Sequence, residues 1–330
     1  MYVANQQRYE KKTYRKTGKS GLRLPLLSLG LWQTFGDYDP ISNQREILRG
    51  AFDMGITHFD LANNYGGPAG AAEKNFGRIF KEDFQTYRDE MIISTKAGYH
   101  MWEGPYGEWG SRKSIIASCD QSLKRMGLDY VDIFYHHRPD PDTPLEETAE
   151  ALMQLVRQGK TLYIGISNYN GEDTKKMSAI LREMNAPFII HQMRYNMFSR
   201  ELLEEDLAPV LEETGLGAIT FSPLAQGLLT KRYLHGIPED SRAHRKEIPF
   251  LSEDQVAPTL GKIKQLQDLA DLRGQTLAQM ALAWNLRQES VTSVLVGASR
   301  LSQLEESVRM MDNLSFSPEE EQKIEQILGH

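Results

Sequence analysis

Residues 47–60, ILRGAFDMGITHFD, contain the end of one predicted helix and the strand that follows it. The apolar residues of the helical half recur at helical spacing, which predicts one buried face formed by Ile47, Leu48, Ala51 and Phe52. Gly55 then ends the helix, because glycine readily takes the left-handed conformation found at helix C-termini. The run Ile56–Phe59 has the length and apolarity of a strand in a buried parallel sheet.

The same alternation of short apolar runs and helical stretches continues along the chain. The eight runs are Leu26–Leu31, Ile56–Phe59, Met91–Thr95, Tyr130–Tyr135, Leu162–Ile166, Phe188–Ile190, Ala218–Phe221 and Ser293–Val296. Eight βα units fit either an open doubly wound sheet or a closed barrel. The first strand leads into Gly30-Leu31-Trp32-Gln33-Thr34, which lacks the G-x-G-x-x-G motif of a dinucleotide-binding open sheet. We therefore predict an α/β fold of the (β/α)8 TIM barrel type, formed by residues 1–330 as a single domain.

Three further segments are predicted around the barrel. Thr13 to Leu24 contains a Gly- and Ser-rich turn between short alternating runs, which indicates an N-terminal β-hairpin. The stretch from Pro223 to Pro258 is a long, charged late βα loop. Two helix-start signals share one pattern of N-cap, proline and glutamate, at Thr143, Pro144 and Glu146 and at Ser317, Pro318 and Glu320. The second of them predicts an extra helix at the C-terminus.

Composition excludes several classes of protein. The chain has 330 residues, and 38 Lys and Arg against 45 Asp and Glu give a net charge of -7, so no overall attraction to nucleic acid is expected. No apolar run approaches the roughly twenty residues of a membrane helix, and the basic N-terminus lacks the apolar region of a secretory signal. Cys119 is the single cysteine, so an internal disulfide is impossible and a cytoplasmic location is expected.

Polar residues lie at the C-terminal ends of the predicted strands, where barrel enzymes carry their chemistry. They include Asp60 after the second strand, Lys96 after the third, His136 and His137 after the fourth, and Tyr65 in the loop beyond Asp60. Successive side chains of a strand point in opposite directions, so at most one of the two histidines faces the mouth. A single aspartate or lysine at a strand end is more often a cap or half of a structural ion pair. No second cluster of ligands accompanies the histidines, so no metal site is predicted.

Together these groups predict an acid beside a site for a carbonyl group. A tyrosine has an unperturbed pKa of about 10, and a neighbouring ammonium is expected to lower that pKa by stabilising the phenolate. Asp60 would hold Lys96 near Tyr65, and His137 would orient a substrate oxygen. This arrangement suits reduction of a carbonyl by an external hydride donor.

Longer motifs resemble the aldo-keto reductase superfamily over essentially the whole chain. They are residues 55–65 (GITHFDLANNY), 94–96 (STK), 128–132 (LDYVD), 137–139 (HRP), 165–168 (GISN), 221–228 (FSPLAQGL) and 296–299 (VGAS). Residues 137–144 (HRPDPDTP) and 241–243 (SRA) resemble the branch that holds potassium-channel β subunits and bacterial reductases. The resemblance implies NADPH-dependent reduction of small aldehydes, such as methylglyoxal and glyceraldehyde 3-phosphate, by a homo-oligomer that is a tetramer or larger.

By position, the resemblance also implies roles for single residues. Tyr65 would be the proton donor, tuned by Asp60 and Lys96, and His137 would orient the carbonyl. Trp32 would lie on the substrate side of the mouth, where it and Asp60 also border the cofactor. The nicotinamide would be held by Ser167, Asn168, Gln192 and Phe221, and the pyrophosphate by Ser222, Leu224, Gln226 and Arg232. The adenosine end would be held by Gly297, Ser299, Gln303, Glu306 and Ser307.

The late loops favour NADPH over NADH. Residues 297–302 lead into a helix N-terminus, where free N–H groups and the helix dipole favour anions. Arg232, Arg242 and Arg300 lie in the two late loops, and a guanidinium matches the geometry of a 2′-phosphate, although most arginines of a surface loop are simply solvated. The segment from Pro223 to Pro258 would close over the cofactor as a flap.

The sequence leaves open both the choice between enzyme and regulatory subunit and the identity of the substrate. The channel-subunit branch offers a second interpretation, in which the chain is a regulatory subunit that binds NADPH with slow or no turnover. His137 favours the enzyme, since channel subunits that are expected to be poor enzymes lack this histidine. Aromatic residues between Lys96 and Arg112 would either line a substrate pocket or form a contact between subunits of an oligomer. Arg138 and Arg112 are the candidate cations for a phosphate-bearing substrate.

Overall fold

The barrel lies at the centre of the computed structural model, which describes residues 2–10, 14–234 and 256–329. Eight parallel strands close on themselves in the order β10-β3-β4-β5-β6-β7-β8-β9. They are β3 Leu27–Gly30, β4 His58–Asp60, β5 Ile92–Ala97, β6 Val131–His136, β7 Thr161–Ser167, β8 Phe188–Arg194, β9 Gly217–Phe221 and β10 Val291–Val296. The eight strands predicted from the sequence and the (β/α)8 barrel are confirmed.

Helices follow the strands and surround the barrel. In the described ranges they are α1 Ile41–Asp53, α2 Ala71–Ile79, α3 Arg112–Met126, α4 Leu145–Arg157, α5 Gly171–Glu183, α6 Ala208–Thr214, α7 Leu260–Leu272, α8 Leu277–Asn285, α9 Leu301–Val308 and α10 Pro318–Leu328. Helix α10 is the predicted C-terminal helix, and Ser317 and Glu320 form the capping box expected at its start. None of the helices in these ranges combines the length and apolarity that a membrane span requires.

The predicted start of α4 is wrong by one position. Pro144, not Thr143, is the N-cap, and the helix begins at Leu145. In the preceding turn, Asp140 Oδ1 accepts hydrogen bonds from the backbone N–H groups of Asp142 at 2.9 Å and Thr143 at 3.2 Å. Asp140 therefore holds Thr143 in the turn before the helix, and the helix starts without a side-chain cap.

The N-terminal hairpin covers the end of the barrel at which the strands begin. Strands β1 (Tyr14–Lys16) and β2 (Arg23–Pro25) pair antiparallel, as predicted. Gly18 in the turn approaches the chain before β9 so closely that a Cβ would lie 2.1 Å from the Gly215 carbonyl oxygen. Leu24 is fully buried and packs with the side chains that fill the barrel. The hairpin therefore closes the end opposite to the predicted site.

Helix α7, which is not predicted from the sequence, packs against α10. Lys262 Nζ donates to the Leu328 carbonyl at 2.5 Å, and Arg273 pairs with Glu320 at 2.5 Å. Before α7, the segment predicted as a loop contains short 3-10 turns at Ala225–Gly227 and Lys231–Tyr233. Residues 235–255, which make up most of the predicted flap, lie outside the described residues.

The barrel interior contains a polar layer as well as an apolar one. The apolar side chains are Ile133, Tyr135, Ile190, Ile219 and Leu295. Four neighbouring strands, β10, β3, β4 and β5, place Ser293, Ser28, His58 and Ser94 inside the barrel, and none of these side chains is exposed. Barrel interiors are usually filled by branched apolar residues, so this polar layer points to a function beyond packing.

Three buried histidines should make the fold sensitive to acid. Burial lowers the pKa of His58 and of His136 to about 4 and that of His191 to about 3. The unfolded chain binds these protons near pH 6.5 and the folded chain does not, so stability is lost as the pH falls from about 6.5 toward 4. At pH 5.5 we expect each histidine to lower the free energy of unfolding by about 1 kcal/mol relative to pH 7.5, measured by urea unfolding.

A pair of variants isolates this acid effect. His191→Gln removes one buried titrating group and should reduce the difference in unfolding free energy between the two pH values by about 1 kcal/mol. His100 is exposed, and His100→Gln should leave the difference unchanged. A difference that is equal in the His191 variant and in the unmodified protein would show that buried histidines do not cause the acid sensitivity.

Candidate active site

A buried ion pair lies where β4 and β5 end. Lys96 Nζ is 2.5 Å from Asp60 Oδ2 and donates a second hydrogen bond to the Leu61 carbonyl oxygen at 2.6 Å. Neither charged side chain is exposed to solvent. Asp60 pairs with Ser94 across the two strands, and Lys96, two residues further along β5, points to the same face as Ser94. The parallel pairing therefore brings the predicted aspartate and lysine into contact.

Tyr65 lies against this pair on the loop that follows β4. The loop is held by a hydrogen bond from Asn63 N to the Lys96 carbonyl at 2.9 Å. The Tyr65 hydroxyl is 3.4 Å from Lys96 Nζ. The centroid of the Tyr65 ring lies 6.4 Å from that of Trp32 and 5.8 Å from that of His137. The structure thus brings the tyrosine, the lysine and the histidine together as predicted, with Trp32 beside them.

Burial dominates the pKa values of this group. The pKa of Tyr65 is raised well above 10, first by burial and then by the Asp60 carboxylate, so the expected lowering by the ammonium is wrong. Burial lowers the pKa of Lys96, and Asp60 opposes that shift. Burial and the nearby Lys96 hold the pKa of His137 well below 6.5. At neutral pH the phenol is therefore protonated and the imidazole is neutral.

The two histidines at the end of β6 face opposite ways, as the alternation of side chains predicts. His136 Nδ1 is 2.6 Å from the Tyr169 hydroxyl, and its ring leaves no room for a Cβ on Gly110. His137 instead meets Tyr99 edge-on, with ring centroids 4.6 Å apart. Its Nδ1 is buried and has no hydrogen-bond partner within the part of the chain that the structure describes. His137 is the histidine at the mouth.

Amide side chains line the neighbouring strand ends. Asn168, with φ 62°, donates from Nδ2 to the His137 carbonyl at 3.0 Å and to Ser167 Oγ at 3.1 Å. Gln192 Nε2 donates to Asp60 Oδ1 at 3.3 Å. Three of the four residues predicted to hold a nicotinamide, namely Ser167, Asn168 and Gln192, are therefore linked to the ion pair or to the backbone of the mouth histidine.

The loop after β9 begins in an unusual backbone conformation. Ser222 and Gln226 have φ values of 53° and 59°, which residues with side chains rarely adopt. Asn196 Nδ2 donates to the Ser222 carbonyl at 3.0 Å, and Gln226 Nε2 donates to Ser222 Oγ at 3.2 Å. The other residues predicted nearby are distributed along the same segment: Phe221 ends β9, Leu224 is half-buried and Arg232 lies in a 3-10 turn. Arg242 lies outside the described residues.

The last βα loop leads from Gly297, directly after β10, into helix α9. Ser299 donates from its backbone N and from its Oγ to Gln303 Oε1 at 2.9 and 3.1 Å, and Ser307 Oγ donates to the Gln303 carbonyl at 2.8 Å. The Glu306 carbonyl accepts a hydrogen bond from α8. Arg300 stands at the N-cap of α9, and its side chain makes no capping hydrogen bond there. The residues predicted for an adenosine thus share one short helix and the loop before it.

The loop between β5 and α3 is anchored on Arg138. The guanidinium carbon lies 3.6 Å from the ring centroid of Trp109 and 4.4 Å from that of Tyr99. Arg138 also pairs with Glu108 at 2.9 Å. Arg112 likewise has a carboxylate partner on α4. Both arginines that were candidates for a substrate phosphate therefore form ion pairs, and Arg138 holds the aromatic loop in place.

The sequence alone assigns no role to Ser94, His58 or Asn196, although the first two lie within the quoted motifs. All three nevertheless support the mouth. Ser94 Oγ donates to Asp60 Oδ1 at 2.6 Å, and His58 Nε2 is 2.9 Å from Ser94 Oγ. The sequence signal that could identify such residues is a polar residue at an inward position of an otherwise apolar strand. Such a residue must have a buried partner, because an unpaired polar group in the interior is costly.

Known proteins match this chain over nearly its whole length. Residues 26–328 match the Aldo/keto reductase family. The chain is 57% identical over 329 residues to "L-glyceraldehyde 3-phosphate reductase" of Escherichia coli O157:H7, a match that covers 99% of this chain and 95% of the relative. The protein of the same name from Escherichia coli strain K12 is 56% identical with the same coverage. A "Probable voltage-gated potassium channel subunit beta" of Arabidopsis thaliana is 37% identical over 321 residues, which are 96% of each chain.

Proposed function

Because this chain belongs to the aldo/keto reductase family, we propose that it reduces small aldehydes with NADPH and that Tyr65 is the proton donor. The observation that carries the proposal is the 3.4 Å approach of the Tyr65 hydroxyl to the buried Lys96 ammonium, which is paired with Asp60. His137 faces the same phenol ring at 5.8 Å. A protonated phenol and a neutral imidazole at one barrel mouth suit the reduction of a carbonyl group.

In this proposal each residue of the mouth has a defined task. Tyr65 O–H and the N–H of neutral His137 donate to the carbonyl oxygen and fix the orientation of the aldehyde. As negative charge develops on that oxygen, the Tyr65 proton moves to it and the product is an alcohol. Lys96 stabilises the phenolate that remains, which offsets the high pKa of the buried phenol. Asp60 in turn favours the charged form of Lys96.

The residues around the mouth fit a nicotinamide dinucleotide. Asn168 and Gln192 offer amide donors and acceptors that suit a carboxamide, and the uncapped start of α9 suits an anionic group. NADPH would supply the hydride when bound. The preference for NADPH over NADH rests on Arg232 and Arg300, together with Arg242 outside the described residues, because arginine matches phosphate geometry.

The names of the relatives and the aromatic loop support the proposed substrate class. The Escherichia coli relatives are named for L-glyceraldehyde 3-phosphate, and one of them is 57% identical to this chain. We extend that substrate, and the small aldehyde methylglyoxal, to this protein. Tyr99 and Trp109, held by Arg138, would form the apolar wall against which a small aldehyde packs.

A cofactor-consumption assay tests the proposed function. NADPH absorbance should fall when the protein is mixed with DL-glyceraldehyde 3-phosphate or with methylglyoxal, and should stay constant without aldehyde. With NADH in place of NADPH, we expect KM for the cofactor to rise by about tenfold or more, since a bidentate arginine–phosphate contact is lost.

Two outcomes would contradict parts of this proposal. A protein that binds NADPH tightly but reduces none of the aldehydes would be a regulatory subunit, the function suggested by the name of the relative from Arabidopsis thaliana. Equal KM values for NADPH and NADH would leave the reductase in place and remove the cofactor preference.

A further inference from the structure

A continuous chain of hydrogen bonds runs through the polar layer of the barrel to the proposed site. Ser293 Oγ is 2.6 Å from Ser28 Oγ, which is 2.9 Å from His58 Nδ1. His58 Nε2 is 2.9 Å from Ser94 Oγ, and Ser94 Oγ is 2.6 Å from Asp60 Oδ1. We call the four side chains from Ser293 to Ser94 the serine–histidine chain. It connects three further strands to the carboxylate that holds the lysine.

The hydrogens of the serine–histidine chain all point toward Asp60. A carboxylate paired with an ammonium accepts hydrogen bonds only, so Ser94 uses its one hydrogen on Asp60. His58 must then donate to Ser94 from Nε2, and because burial holds its pKa near 4, its neutral ring accepts at Nδ1. Ser28 donates to that Nδ1 and accepts from Ser293. The aligned donors therefore end on the Asp60 carboxylate.

The serine–histidine chain is suited to positioning and not to proton supply. Its far end, Ser293, is fully buried, as is Ser28, so neither exchanges protons directly with solvent. A proton delivered to Asp60 would also remove the charge that pairs with Lys96. In a dry interior, such a network acts through the orientation of its dipoles.

We propose that His58 is a positioning residue that, through Ser94, fixes the Asp60 carboxylate and thereby holds Lys96 beside Tyr65. The inference deepens the proposed aldehyde reduction and rests on it. A serine hydroxyl rotates freely when it has no other partner, and the His58 donor occupies the acceptor side of Ser94. Without His58, Ser94 would no longer be held with its hydrogen on Asp60.

Two substitutions of His58 separate positioning from packing. His58→Leu removes both ring hydrogen bonds, whereas His58→Gln retains a donor for Ser94. We expect kcat for aldehyde reduction to fall about tenfold in the leucine variant and to recover most of the loss in the glutamine variant. KM for NADPH should change less than about twofold in both, because no cofactor contact is altered.

The pH dependence of kcat/KM also tests the proposal, because a purely structural role of His58 would leave it unchanged. Asp60, and at longer range Glu73, are the acidic groups that support the charge of Lys96. In His58→Leu, the Asp60 carboxylate is no longer fixed in place and therefore supports the charge of Lys96 less well. The alkaline limb of the pH profile of kcat/KM should then move to lower pH. The proposal would be overturned if His58→Leu left both kcat and the alkaline limb unchanged. It would also be overturned if His58→Gln were as impaired as His58→Leu.

Smaller substitutions keep the proposal testable if His58→Leu fails to fold. Ser28→Ala removes the donor to His58 Nδ1 and should lower kcat about threefold, with the same direction of shift in the alkaline limb. Ser178→Ala changes a buried serine of α5 that is not part of the serine–histidine chain, and it should change neither kcat nor the alkaline limb. Equal behaviour of the two alanine variants would also overturn the proposal.

Nitrogen NMR of labelled histidines distinguishes failure of this inference from failure of the proposed function. In the resting protein, His58 should be neutral with its proton on Nε2, and its signal should shift in Ser94→Ala. A His58 that is charged or protonated on Nδ1 would refute the positioning role even in an active enzyme. An Nε2-protonated His58 in a protein that reduces no aldehyde would refute the proposed function alone.

Discussion

Tyr65→Phe is expected to lower kcat for aldehyde reduction by about three orders of magnitude and to leave the dissociation constant for NADPH nearly unchanged. The substitution removes the hydroxyl that lies 3.4 Å from Lys96 Nζ and keeps the ring beside Trp32 and His137. Lys96 retains its 2.5 Å contact with Asp60, so the ion pair persists. Steady-state rates with one aldehyde measure the first effect, and fluorescence titration with NADPH measures the second.

Tyr99→Phe is the matched control for this loss. Tyr99 also contacts the His137 ring, at a centroid distance of 4.6 Å, whereas the Lys96 ammonium donates to Asp60, Leu61 and Tyr65. Its variant should keep kcat within about threefold of the unmodified protein. A Tyr65→Phe protein that retained a tenth or more of the rate would show that the proton comes from elsewhere, and a similar loss in both variants would point to disturbed packing around His137.

The barrel could be predicted because its strands are buried on both faces. Runs such as Leu26–Leu31 and Ser293–Val296 are mostly apolar, and glycines such as Gly55 and Gly127 mark the ends of helices. These signals are local, so the eight strands and their order along the chain follow from sequence. Helix α7 was not predicted; it begins directly after the predicted loop of residues 223–258, and its partner α10 is distant in sequence.

The candidate site could be predicted in part, for a related reason. We could predict Asp60, Lys96 and His137 because barrel enzymes carry their chemistry at the C-terminal ends of the strands, and neighbouring parallel strands end at the same rim. The sign of the Tyr65 pKa shift depends on how deeply the phenol is buried, which no spacing of residues reveals. The serine–histidine chain likewise depends on which strands meet across the barrel, and it joins residues as far apart in sequence as Ser28 and Ser293.

Removing one partner of the buried ion pair should destabilise the protein strongly. In Asp60→Asn, Lys96 stays fully buried without its carboxylate, and we expect a loss of about 3–5 kcal/mol in the free energy of unfolding. Lys96→Met should cost less, because Ser94 and Gln192 still donate to Asp60. Urea unfolding at pH 7.5 measures each loss, and Glu213→Gln, which breaks an exposed ion pair with Lys175, should cost about 1 kcal/mol or less.

The double variant Asp60→Asn/Lys96→Met separates stability from chemistry. With both charges gone, neither is left unpaired, so its unfolding free energy should exceed that of Asp60→Asn and the two losses should not add. Its kcat should nevertheless stay at least about a hundredfold below that of the unmodified protein, since Tyr65 then has no ammonium to stabilise its phenolate. Additive losses of stability would mean that the pair is not energetically coupled. Recovery of activity together with stability would mean that the ion pair only supports the fold, and that Tyr65 donates its proton without Lys96.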